Sequence, residues 1–157
     1  MKLLYAILAG LAGTAAMTAF LYLLTYATHR VMKTAKTLGT MLLDRTQPDG
    51  GLADDTKTRT VGTIAHFVAG IVFAIGYLAL WNSEVGAPTA SWGVFLGFAN
   101  GILAMIIWYF FFMIHTNPPY ISLKSYLVTL IFAHIIFGFV VSYVFYSLLQ
   151  PRYTFWQ

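Results

Sequence analysis

Four long apolar runs dominate this chain, and none of them contains Asp, Glu, Lys or Arg. They cover about residues 3–28, 61–81, 92–115 and 125–149. A helix needs ~20 residues to cross a hydrocarbon core. Inside lipid the backbone must satisfy its own hydrogen bonds, so such runs become helices. Their continuity argues against a barrel, whose strands alternate. With 59% hydrophobic and 9% charged residues, the chain departs far from the roughly 25% charge of soluble domains. The reading is an all-α, four-transmembrane-helix bundle, a single integral membrane domain over residues 1–157, with the lipid bilayer as its first partner. The first run outlasts the roughly 7–15 residues of a signal-peptide core, so it is read as a retained helix.

Other classes recede. The chain has no cysteine, which removes disulfides, thiolate metal sites and thiol catalysis. Its formal charge of +4 is gathered in one loop beside the spans. That is a topology or anionic-lipid signal rather than one for nucleic acid, and no nucleic-acid partner is expected. There is no His-Glu-x-x-His, no Gly-x-Ser-x-Gly and no phosphate-binding glycine loop. No enzyme is expected.

Orientation follows the basic residues. Arg30, Lys33, Lys36, Arg45, Lys57, Arg59 and Lys124 fall on one side, and Lys2 and Arg152 on the other. The prediction places both termini outside and loop 30–60 in the cytoplasm. Within that loop, residues 31–43 suit a short interfacial helix with Val31, Leu38, Met41 and Leu42 on its apolar side. Gln47-Pro48-Asp49-Gly50-Gly51 signals a turn, and Asp54 or Asp55 caps the second span. Asp44, Asp49, Asp54 and Asp55 lack the spacing of a calcium loop. Tyr26, Tyr77, Trp81, Trp92, Tyr120, Tyr126, Tyr153, Phe155 and Trp156 are read as interfacial anchors.

All four histidines occupy corresponding places. Ala65-His66-x-x-x-Gly70 in the second span matches Ala133-His134-x-x-x-Gly138 in the fourth. Gly13-x-x-Ala16-Met17 precedes His29 as Gly101-x-x-Ala104-Met105 precedes His115. Two related helical hairpins of like orientation imply a parallel internal repeat about an axis normal to the membrane.

Residues four apart share a helix face. Gly62, His66, Gly70 and Ala74 form one stripe, and His134, Gly138 and Ser142 another. Gly93, Gly97 and Gly101 make a third, and Gly10, Thr14 and Thr18 a fourth. Small residues let helices approach closely in lipid, so these glycines are read as packing positions. Asn100, His29 and His115 are the further intramembrane or span-end polar groups, and Asn100 is expected to hydrogen-bond across helices. Trp108 and Tyr109 lie mid-span and are read as packing or lipid-facing, with a ligand cleft as the alternative.

The pattern Gly13-x-x-x-Met17-Thr18, then Leu38-Gly39-Thr40-Met41-Leu42, then Ala-His-x-x-x-Gly, resembles small bacterial four-helix integral membrane proteins of unknown function. The resemblance implies the fold and a bacterial inner (plasma) membrane, and carries no site residues or activity.

Three functional readings compete. The leading one is a non-enzymatic accessory subunit that packs with itself, as a homo-oligomer, or within a larger membrane complex. In the second, His66 and His134 bind haem b or a transition metal as a redox centre; the preferred reading is that no cofactor is bound. The third is a binder or carrier of a hydrophobic small molecule between the hairpins, with Trp108 and Asn100 lining the cleft.

Overall fold

The computed structural model describes residues 1–156. Five helices follow one another: α1 (Lys2–Thr28), α2 (Thr34–Leu42), α3 (Thr56–Asn82), α4 (Ala90–Ile114) and α5 (Leu123–Leu149). The four long ones are each long and apolar enough to cross a membrane. Only 28–39% of their most apolar stretches is buried within the protein. The outer faces carry Leu23, Val72, Phe95, Phe110, Met113 and Phe132, all exposed, as helices solvated by lipid require.

Local chemistry sets the ends. Asp55 caps α3 by accepting from the Thr58 N–H at 3.0 Å, which satisfies a donor that the first turn leaves orphaned. Thr89 caps α4 in the same way. His29 ends α1 in the left-handed region at φ 52°. Pro118 and Pro119 follow α4 and cannot extend it. Gly50 takes φ 80° in the Gln47–Gly51 turn, where its N–H donates to the Gln47 carbonyl at 2.8 Å. The Tyr120 N–H reaches back to the Gly50 carbonyl at 2.8 Å, which ties this turn to the α4–α5 connection.

Side by side, the long helices run α4, α5, α1, α3, with α2 leaning on α3. Small residues make each seam. Gly93, Gly97 and Gly101 face Ser142, Gly138, His134 and Ile131 of α5. Gly13 faces Phe137 and Val141 of α5, while Gly10 lies against Ile71 and Ala74 of α3. Gly70 meets Thr14. Gly39 of α2 lies directly against Thr58 and Gly62 of α3. Helices α3 and α4 share no comparable contact.

Two expectations change. Helix α2 buries Thr34, Thr37, Gly39, Thr40 and Met41, while Val31 and Leu42 are exposed. Its inner face combines the glycine contact with α3, three threonines and Met41, with Leu38 packed beside the core, so only part of the expected apolar side turns inward. Nor are Tyr77, Tyr126 and Phe155 surface anchors: Tyr77 and Tyr126 are buried in the core, Tyr126 with its hydroxyl donating to Thr34 at 3.3 Å. Phe155 lies inside as well. It is buried, its carbonyl accepts from the Ala90 N–H at 2.7 Å, and its ring packs on Phe139, Tyr143 and Tyr146.

Candidate functional site

The gap between α3 and α4 is an apolar groove of about 370 Å³. His66, Ala69, Val72 and Phe73 form its α3 wall, and Ala104, Ile107, Trp108 and Phe111 its α4 wall. Thr34 and Leu38 of α2 border one end, and His134 of α5 lies at the bottom. Large side chains line both walls, Phe73 on one side and Trp108 and Phe111 on the other. Trp108 is held by Tyr126, with ring centroids 5.3 Å apart.

Beside the groove lies a small space of about 30 Å³, bordered by Thr14, Met17, His66, Gly70, Phe73, His134 and Phe137. That is room for water, not for an organic molecule. His66 and His134 border both spaces, so the fold brings these two rings to one place. His66 Nε2 lies 3.2 Å from the Thr18 hydroxyl. The His134 Nδ1–H donates to the Leu130 carbonyl one turn back, at 2.7 Å.

The other two histidines lie elsewhere. The His115 Nε2–H donates to the Met41 carbonyl at 2.8 Å, and its Nδ1 accepts from the Asn117 N–H at 3.1 Å. It pins the end of α2 to the end of α4. His29 is the exposed residue that closes α1.

Asn100 does not border the groove. It is buried near Tyr77, yet the two close no hydrogen bond of ordinary geometry. The Asn100 amide nitrogen, the Tyr77 hydroxyl, the Trp81 Nε1 and the Ser142 hydroxyl are all buried without partners among the described residues. The Asn100 amide nitrogen has no cross-helix partner of ordinary hydrogen-bond geometry among the described residues.

A second, polar hollow of about 320 Å³ sits between α2 and α3, edged by Tyr22, Lys33, Lys36, Asp54 and Arg59. Its charges are largely spent on one another. Asp54 accepts from Lys36 at 2.5 Å and from Arg59 at 2.7 Å. The Lys36 ammonium, then the Arg59 guanidinium, hold its carboxyl at about 2. Asp55 is held at about 2 by its Thr58 hydrogen bonds and then by Arg45. Lys33 stands over the Tyr22 ring, 5.5 Å from its centroid.

The groove walls follow helical spacing: His66, Ala69 and Phe73 on α3, and Ala104, Trp108 and Phe111 on α4. The sequence carried that signal. It did not show that these two faces oppose each other. A model for a family of unknown function, DUF6789, matches residues 1–155.

The chain belongs to that family.

No curated protein and no solved structure matches it. The DUF6789 match spans all five helices and hence both walls of the groove.

Proposed function

We propose that this protein binds an elongated apolar molecule, taken sideways from the bilayer into the groove between α3 and α4, and holds it without chemical change. The observation that carries this reading is the groove itself. It is about 370 Å³, almost wholly apolar, and bounded by two long helices that do not close on each other. Pockets of roughly 300–1,000 Å³ with few polar groups are typical of small-molecule sites.

Purification in mild detergent, solvent extraction and mass spectrometry test the proposal. An apolar species is expected at near-stoichiometric yield from the native protein and not from Ala69→Phe, which fills the groove. Identical lipid profiles from both would overturn it.

The accessory-subunit reading rested on the glycine ladders. Those glycines are taken up inside the chain, against α1, α2, α3 and α5, which leaves little of the ladder for a partner. We propose further that the protein lies in the plasma membrane with its termini outside and loop 30–60 in the cytoplasm, on the strength of the basic residues clustered at the α2 side. Because the chain lacks cysteine, thiol labelling of Gln47→Cys and Ser83→Cys reports the two faces separately. Labelling of Gln47→Cys from outside intact cells would reverse the assignment.

A further inference from the structure

We infer that the molecule held in the groove ends in a hydrogen-bond donor, a hydroxyl on a long apolar tail, rather than in a ketone or ether oxygen. This rests on the groove's being occupied as proposed above. The argument starts from His134. A carbonyl oxygen can only accept, so the 2.7 Å contact with Leu130 fixes the proton on Nδ1. The acidic residues are Asp44, Asp49, Asp54, Asp55 and Glu84, and none lies in any of the long helices. With no anion to balance it, a charged imidazole buried among apolar walls is strongly disfavoured. The ring is neutral, and Nε2 presents a lone pair.

No described residue answers that lone pair. His134 is 8% exposed, and its Nε2 has no hydrogen-bond partner among the described residues. The rings packed edge-on or tilted against it, Phe73 and Phe137, carry no donor. The Thr14 hydroxyl, on the same small space, donates to the Gly10 carbonyl at 2.7 Å. The Thr18 hydroxyl is engaged with His66. His66 can meet Thr18 in either tautomer, so it does not discriminate between donors and acceptors. His134 does. An acceptor that opens on an apolar groove and meets no donor is costly, and a terminal hydroxyl in the groove removes that cost. The ligand class is a membrane alcohol or phenol: a fatty alcohol, a polyprenol or the reduced form of a quinone-type ring.

The experiment uses a pair of probes that differ only at the head. The variant W81F/W92F/W156F leaves Trp108, on the groove wall, as the one fluorophore of its kind. In detergent it is titrated with 9,10-dibromostearyl alcohol and with the methyl ether of the same compound, whose bromines quench tryptophan on contact. Both are expected to quench saturably, the alcohol at about tenfold lower mole fraction. His134→Phe is expected to bring the alcohol to the level of the ether. Equal binding of alcohol and ether to the native-His134 protein overturns the inference, leaves the groove standing, and would mean that water caps Nε2. Saturable quenching by neither removes the groove reading and this one with it. If His134→Phe does not fold, the alcohol–ether difference on the protein with His134 decides alone.

Discussion

Helix α4 meets its neighbours in two ways along its length. In its first half, Gly93, Gly97 and Gly101 let its backbone settle onto α5, so that a Cβ added at Gly101 would lie 2.8 Å from the Ile131 Cα. In its second half, Ala104, Ile107, Trp108 and Phe111 border an open groove whose far wall is α3. Both halves are apolar, and in lipid apolarity alone does not draw helices together. What separates them is side-chain size. Where the side chain is a hydrogen atom, backbones meet and dispersion contacts accumulate. Where large rings line the wall, no comparable contact with α3 forms and a space remains.

The largest test of that contrast is Gly97→Leu. Its new side chain would run into the His134 carbonyl and the Ile135 Cα, the latter 2.8 Å from an added Cβ. Overpacking of this kind costs about 3 kcal/mol or more, and loss of the folded fraction in a denaturant titration is expected. A variant as stable as the native protein would show that the seam yields.

Next comes His115→Ala. It leaves the Met41 carbonyl and the Asn117 N–H without their partners, at a cost of about 1–3 kcal/mol. The loss should be local, so amide exchange over residues 34–42 should quicken while α4 and α5 stay protected. Uniform quickening would mean that α2 is part of the same cooperative unit as the seam.

Ala69→Phe sits across the groove on α3, exposed on its wall. Its expected effect on stability is within about 0.5 kcal/mol, yet it should abolish saturable quenching of Trp108 by dibromostearyl alcohol. If it unfolds the protein as Gly97→Leu does, the groove is a packed interface and the contrast drawn above is wrong.

The smallest effect concerns acid. Asp54 and Asp55 are held at about 2, below the ordinary 3.8, so their ion pairs favour the folded state above pH 3.8. That contribution is lost as the pH falls from 3.8 to about 2. Both carboxyls are exposed and solvent-screened, so only exchange at the start of α3 and in α2 should rise over that window. Asp54→Asn should blunt the change. A flat profile would mean that the glycine contact between Gly39 and Gly62 holds α2 unaided.

Much of this was legible in the residues. The four spans follow from runs without charge, because lipid leaves the backbone no choice but helix. The cap at Asp55 and the turn at Gly50 follow from short-range hydrogen bonding and from φ. Other features were not. The docking of α2 on α3 escaped because threonine and glycine, beside Met41, make most of that face and no apolar pattern marks them, and the burial of Phe155 depended on a tail folding back over α5. The stripes bearing His66 and His134 could be drawn on their helices, but a stripe does not name its neighbour.

By itself, then, the sequence determined the number, extent and apolar character of the helices, and set two histidines on small-residue faces. Only the tertiary structure decided that α3 and α4 stand apart, that His66 and His134 share the floor between them while His115 pins α2 to α4, and that the imidazole of His134 turns an unanswered lone pair toward that space. The reason is physical. Helix formation in lipid is settled within each segment, whereas a groove exists only through the sizes of side chains on two segments far apart in the chain.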